Sequence, residues 1–388
     1  MEKMFHKTYK YKLKPTKDQR NLFAQFAGAA RFIFNIGLEC VKRALDAGLP
    51  IPTYTAIANM LPLMKILEKT CWLKTIHSQV LQQSLKDLFE SIEAYFKKNK
   101  KRGFPKYKKR GQRASFRYPQ GVRCRDGMVY LPKIGWVRYC DSRPIEGTIK
   151  QATVKLIGAH WYVCIVCIVE IEVPEVHITE DKVLGIDVGI KNYISTSDGT
   201  KIDNPAYLYQ LLEKLRYLSK SLSRKKKFSQ NWYKTRNKIQ RLHIRISNLR
   251  RDFIHKLSTV LTKNHGVLAI CIEDLNIPGM VKNRKLARSI SDASWGTLYE
   301  FLAYKCEWLG KRFLKIDRFY PSSKLCSSCG NKQDMPLHVR VYDCAVCGLR
   351  LDRDINASIN IRSAGTSELI ACGEIRIGVL NEAGIGGF

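Results

Sequence analysis

Four cysteines in the pattern C-x2-C-x14-C-x2-C, "CSSCG" (326–330) and "CAVCG" (344–348), carry the most specific chemistry in the sequence. At this spacing the thiolates of Cys326, Cys329, Cys344 and Cys347 converge on one tetrahedral Zn²⁺, each pair held by a tight turn whose following glycine tolerates a left-handed backbone. Four thiolates fill the shell, so the expected zinc is structural; four unliganded cysteines are the alternative. "CIVC" (164–167) has the same C-x2-C spacing but lies in an alternating strand pattern, where residues three apart point to opposite faces. Those two are expected to be packing thiols.

Acidic residues form the second set. "VLGIDVGIKN" (183–192) places Asp187 in a run of Val183, Leu184, Ile186, Val188 and Ile190 that suits a sheet interior. Burying an unpaired carboxylate is costly unless a cation or hydrogen bonds compensate. "VLAICIEDL" (267–275) brings a second apolar run to Glu273 and Asp274, and "LDRDINASINI" (351–361) sets Asp352 and Asp354 ahead of a helical pattern. Each acid alone reads as a cap or a strand-end residue. The chain holds 67 Lys+Arg against 34 Asp+Glu, so three such clusters ask for a common reason. A pair of Mg²⁺ ions supplies one: about 4 Å apart, they serve the attacking and leaving oxygens of an in-line phosphodiester cleavage, and they prefer oxygen ligands.

The formal net charge of +33 calls for a polyanion. Nucleic acid comes ahead of an anionic membrane, because the basic residues are spread through folded-looking segments and not gathered on one amphipathic helix. The 45% hydrophobic and 10% aromatic content argues against disorder. The longest apolar run, "WYVCIVCIV" (161–169), is too short to span a bilayer. The charged opening "MEKMFHKTYKYK" lacks an apolar signal segment, and 13 cysteines favour metal ligation over disulfides. A cytoplasmic protein is the expectation.

Several elements must position these groups. Alternation before Pro15 suggests a basic strand; after it, Thr16 and Gln19 form a capping-box pattern, and Leu22, Phe26, Ala29 and Ile33 share a helical face. Leu81, Leu85, Leu88, Ile92 and Tyr95 mark a second helix, so residues 16–98 are expected to form a helical bundle. The basic stretch 97–119 interleaves Phe104, Tyr107, Phe116 and Tyr118 with Lys and Arg, a mixture suited to stacking on bases beside phosphates. Its candidate contacts are Lys106, Tyr107, Lys109, Arg110, Arg117 and Tyr118; the alternative is a solvated loop whose rings pack down on the domain. Met128–Leu131, Thr153–Ile157 and Trp161–Ile171 indicate a β-rich module, followed by a linker, "EVPEVHITED". Leu211, Leu215, Leu218 and Leu222 mark one helix, and Ile239, Leu242, Ile246, Leu249 and Phe253 another, with "SRKKKFSQN" between. The other faces carry Arg241, Arg245, Arg250, Arg251 and Lys256. They are either solvated or line a duplex, with Arg241, Arg245 and Arg251 as the contacts.

In this order, "GIDVGI", "IEDL", the knuckles introduced by "RFYPSSKLCSSCG", and "DRDINASINI" resemble the nuclease half of the TnpB (OrfB) proteins of IS200/IS605-type insertion sequences. These are RNA-guided nucleases related to compact type V CRISPR effectors, and "YKYKLKPTKDQ" with "GAARFIFN" resembles their N-terminal region. The resemblance implies a multidomain α/β protein. An RNase H-like (RuvC) nuclease core, 181–317 and 350–372, would be interrupted by a four-cysteine zinc-ribbon insert, 318–349, that binds target nucleic acid. Ahead of it would come a β-barrel wedge domain, 1–15 and 99–175, carrying an inserted helical recognition domain, 16–98; residues 373–388 would be a loose tail. Carried across by position, Asp187 matches the first catalytic acid, Glu273 the second and Asp354 the third, with Asp274 and Asp352 as local rivals; Ser358 stands where Ala is frequent. Also implied are a guide RNA from the transposon end, a double-stranded DNA target, no membrane partner, and a monomer in the RNA complex. A cleavage-inactive repressor, a transposase performing strand transfer and a junction resolvase are the alternatives. Loss of an acid would signal the first, and all three acids are present.

Overall fold

Alternation in the opening residues becomes the strand β1 (Glu2–Lys12), and the capping box starts the helix α1 (Lys17–Asp46). The Gln19 amide donates to Thr16 Oγ1 at 3.3 Å, and the Thr16 amide donates to Gln19 Oε1 at 3.1 Å. The computed structural model describes residues 2–97, 103–111, 114–172, 178–336 and 338–375, and the chain divides into two compact units that meet between Ile171 and Glu172. Parts of the basic stretch (98–102, 112–113), of the linker (173–177) and of the tail (376–388) lie outside the described residues.

In the first unit α1 is followed by α2 (Tyr54–Ala58), α3 (Met60–Ile66), a short 3-10 segment and α4 (Ser78–Phe96). α1 packs on α4, which buries Leu81, Leu85, Leu88 and Ile92; Tyr95, the last of that stripe, is exposed and meets Phe104 edge-on. Then come β2 (Ser115–Tyr118), β3 (Arg123–Arg125), β4 (Met128–Leu131), β5 (Gly135–Arg138), β6 (Thr148–Ile157) and β7 (His160–Glu172). They form a four-stranded sheet, β1-β7-β6-β2, and a three-stranded sheet, β3-β4-β5. A bridge between Leu13 and Tyr139 links the two sheets, which share one apolar core with α1 and α4. In β7 Trp161, Val163, Ile165 and Cys167 are buried on one face, and Cys164 lies on the other, as period two requires.

The second unit contains β8 (Val183–Val188), β9 (Asn192–Thr196), β10 (Lys201–Asp203), α5 (Tyr207–Ser223), α6 (Gln230–Lys263) and β11 (Ala269–Glu273). It continues with α7 (Ile277–Met280), α8 (Ala287–Ala293), α9 (Trp295–Trp308), β12 (Arg312–Ile316), β13 (Val341–Asp343), β14 (Arg350–Asp352) and α10 (Arg353–Ala371). Five strands form a mixed sheet in the order β10-β9-β8-β11-β12, antiparallel from β10 to β8 and parallel from β8 through β11 to β12. Helices cover both faces. Leu184, Ile186, Ile270 and Ile272 pack with Ile254 and Leu257 of α6 and Leu298 and Leu302 of α9. The alternate residues Val183, Ala269 and Cys271 pack with Ile361 and Leu369 of α10. Ile190, grouped with this strand by its apolar run, lies beyond the strand's end and is exposed. No described helix is long and apolar enough to cross a membrane.

Candidate active site and metal centre

Gly185 shows how α10 comes to lie on β8. A Cβ there would stand 2.1 Å from the Ser358 carbonyl oxygen and 2.5 Å from the Arg362 nitrogen, so only a residue without a side chain admits the helix backbone. Two residues on, Asp187 shares that face of the sheet. In β11, Cys271 pairs with Gly185, and Glu273 follows two residues later, again on the α10 side. One turn before Ser358, Asp354 sits in the first turn of α10. Sheet pleat and helix pitch therefore direct three carboxylates from distant chain segments to one corner.

Electrostatics reports the same convergence. Burial pushes Asp187 well above the ordinary carboxylate range, and the charges of Glu273 and then Asp354 push it further. Burial also raises Glu273, opposed by the Ser322 hydroxyl, which donates to Glu273 Oε1. Asn192 Nδ2 donates to Asp354 Oδ2 at 3.4 Å. The local rivals are otherwise engaged. Asp352 is the N-cap of α10, accepting the Asp354 and Ile355 amides at 2.9 and 3.3 Å, and it pairs with Lys201 at 2.6 Å. Asp274 pairs with Arg318 and lies 3.8 Å from Lys315.

Among the described residues, the four cysteines are the one set of three or more metal-ligating side chains whose donor atoms all lie within 4.8 Å of one another. Buried carboxylates that repel one another at Asp187 fit divalent cations of the hard kind.

In the cysteine cluster, Cys326 Sγ lies 3.6 Å from Cys347 Sγ, and Cys329 Sγ lies 3.6 Å from Cys344 Sγ. The two knuckles repeat one backbone pattern. The Gly330 and Gly348 amides donate to the Cys326 and Cys344 carbonyls, each at 3.0 Å, and both glycines have positive φ, +71° and +70°. The Cys347 and Val346 amides draw the Cys344 thiol down while the neighbouring sulfurs push Cys329 up, so the cluster favours a thiolate at Cys344 first. β13 and β14 pair antiparallel beneath, with Tyr342 fully buried. Four sulfurs in this arrangement fit a closed tetrahedral zinc site.

The proposed nucleic-acid contacts divide. Lys106, Lys109 and Arg110 are exposed, as are Arg241, Arg245 and Arg251 on α6. Tyr118 requires correction: it is fully buried, and its hydroxyl donates to the Pro132 carbonyl at 2.9 Å, so its ring is closed to a base. Phe116 and Phe104 also pack down on the unit. Arg117 is tied to Asp87 at 2.5 Å, and the Tyr107 hydroxyl donates to Glu39 Oε2 at 2.5 Å. On α6, Arg250 turns inward to the buried Asp292, and Lys256 pairs with Asp252 at 2.7 Å. Sequence reasoning missed an exposed cluster at the α5–α6 turn, where Arg236 stacks on Trp232 and Tyr233, at 5.3 and 4.9 Å from the ring centres, beside Phe228. It also missed Asn192, Lys201, Ser322, Asn356 and Asn360. The spacing of Asn356 and Asn360, four apart in a helix, was the available signal.

Fold and site together define a two-unit α/β protein in which a mixed sheet gathers three acids and a four-thiolate knuckle precedes the last helix. A family model described as "Probable transposase" (OrfB, IS605) matches residues 166–284; one described as "Cas12f1-like, TNB domain" matches 295–361; a "Helix-turn-helix domain" of OrfB matches 1–48. Where described, that last segment folds as β1 and α1, a strand and one long helix. A protein of Escherichia coli K12 named "Putative RNA-guided DNA endonuclease InsQ" is 38% identical over 385 residues, covering 95% of this chain and 94% of the relative. A Streptomyces pristinaespiralis protein named "Putative RNA-guided DNA endonuclease" is 36% identical, covering 96% and 92%. The chain belongs to the TnpB/OrfB family of IS605-type elements. Among solved structures it is similar to the Cas12f1–sgRNA–target DNA complex (TM-score 0.36, 15% identity, 93% of this chain and 100% of that one). It is also similar to the mini-RNA-guided endonuclease CRISPR-Cas phi3 (TM-score 0.46, 10% identity, 93% and 92%).

Proposed function

We propose that this protein is an RNA-guided DNA endonuclease of its transposable element. A guide RNA from the element's end pairs with the target strand, and a Mg²⁺-dependent RuvC-like site then cuts both DNA strands, leaving 3′-hydroxyl and 5′-phosphate ends. The observation that carries this reading is the convergence of Asp187, Glu273 and Asp354 on the α10 side of the sheet, where burial and then their like charges raise Asp187, within a chain of net charge +33. The names of the Escherichia and Streptomyces relatives support the guide and the DNA target. The mixed sheet, three antiparallel strands extended by two parallel ones, supports an RNase H-like core.

Asp187, Glu273 and Asp354 would hold the divalent ions. When bound, a pair of Mg²⁺ ions would lend Lewis acidity to both oxygens of an in-line phosphodiester displacement. Asp187 is fixed by its strand, Ser322 fixes one oxygen of Glu273, and Asn192 steadies Asp354. On this reading, 1–15 and 99–175 form the wedge around the helical recognition domain, 16–98. Residues 181–317 and 350–372 form the nuclease domain around the zinc-bearing 318–349, whose four cysteines hold one structural ion. Lys106, Lys109, Arg110, Arg241, Arg245 and Arg251 neutralise phosphates, while base pairing reads the sequence and the protein reads a short flanking motif and the heteroduplex shape.

The test is Asp187→Ala in a guide-RNA complex. Cleavage of a labelled target with Mg²⁺ is expected to fall about 10³-fold or more, roughly 4 kcal/mol of barrier, with RNA binding unchanged. Retained cutting removes Asp187 from the catalytic set. Joining of labelled transposon ends by the protein without RNA moves the reading to direct strand transfer.

A further inference from the structure

The cysteine knuckle contains none of the three acids, yet buried amides connect it to one of them. Asn356 and Asn360 are four residues apart on α10 and are both buried. Asn360 Nδ2 donates to the Ser322 and Leu325 carbonyls, each at 2.7 Å. Asn356 Nδ2 donates to the Leu325 carbonyl at 2.7 Å, and its Oδ1 accepts the Ser327 amide at 2.9 Å. These bonds hold residues 322–327, the segment that delivers Cys326. From the knuckle side, the Tyr342 hydroxyl contacts the Lys324 and Asn331 carbonyls at 3.1 and 3.2 Å. The first residue of the held segment, Ser322, is itself buried, and its hydroxyl donates to Glu273 Oε1.

Glu273 ends its strand on a flexible side chain, so the strand alone leaves its carboxylate several rotamers. A hydroxyl held in place by backbone contacts selects one of them and leaves the second oxygen for a ligand. Groups that orient a metal's ligands in this way govern ion affinity and activity by about 10–100-fold.

We propose that the thiolate knuckle braces Glu273: Ser322 is the positioning residue for its carboxylate, and Asn356 and Asn360 transmit the closure of the knuckle to Ser322. The inference rests on the reading of Asp187, Glu273 and Asp354 as a divalent-metal site. Loss of zinc then disturbs the acid site without touching any acid.

Mn²⁺ titrated into the full-length protein and followed by electron paramagnetic resonance measures ion uptake without cleavage. Wild type is expected to take up Mn²⁺ and Asp187→Ala to lose that uptake. Ser322→Ala weakens uptake about tenfold at unchanged zinc content, and Ser322→Thr, which keeps the hydroxyl, restores it. Asn360→Ala and, independently, Asn356→Ala weaken uptake with all four thiolates and the hydroxyl still present. In cleavage with Mg²⁺, Ser322→Ala lowers kcat and leaves KM for the target near wild type. Undiminished Mn²⁺ uptake in Ser322→Ala overturns the positioning role. Undiminished uptake in both asparagine variants at full zinc content overturns the transmission. Equal uptake by wild type and Asp187→Ala overturns the metal-site reading itself, and the brace with it.

Discussion

Asp352 accepts two amides at the start of α10 and a lysine beside it, while Asp354, two residues on, turns its carboxylate toward Asn192 and the field of Asp187. One residue holds the helix, and on the proposed reading the other presents a ligand. Asp352→Ala removes the cap and should cost about 1 kcal/mol of stability, with cutting retained. Asp354→Ala should abolish cutting at no cost in melting temperature, since it relieves like-charge repulsion. Thermal melting and target cleavage on both variants check the pair of outcomes, and the reverse pattern would exchange the roles. From sequence the two acids were equivalent, because a cap and a ligand use the same residue types in the same place.

At the scale of elements, the site depends on how closely α10 approaches β8. The neighbours that a Cβ at Gly185 would strike are backbone atoms of Ser358 and Arg362, which cannot rotate away. Gly185→Ala should therefore push the helix off the strand, costing about 1–3 kcal/mol or more. Because Asp354 moves with the helix, cutting should fall by far more than the lost stability explains. A melting temperature and cleavage rate both near wild type would show that α10 is free to shift. Much of this element was legible beforehand: apolar runs marked β8 and β11, and the capping box marked α1. The contact itself was not, because a glycine in a strand signals a close approach without naming what approaches.

Across the whole molecule, a net charge of +33 remains after the local ion pairs are formed. Guide-RNA affinity should fall steeply with salt, by about 10³-fold or more between 50 and 200 mM if six to ten phosphates are neutralised. A nearly flat salt profile in a filter-binding series would assign the charge another purpose. Pairing decides which cations remain for this task. Arg117 is held by Asp87 and Arg250 by Asp292, whereas Arg241, Arg245 and Arg251 stay exposed. The basic, aromatic-rich stretch advertised base stacking, but hydrophobic burial claimed Phe104, Phe116 and Tyr118 for the core. A ring beside a lysine satisfies either role until the rest of the chain is packed around it.

The sequence alone determined the knuckles, the strand periods, the helix start at Thr16 and the three acidic motifs in order, because each follows from torsions and spacings within a few residues. Tertiary structure decided which acids meet, which basic side chains stay free and what holds Glu273. Those outcomes turn on partners far apart in the chain: 49 residues separate Ser322 from Glu273, and 162 separate Asn192 from Asp354. No local pattern records such a pairing, since only the folded backbone brings the two side chains within reach.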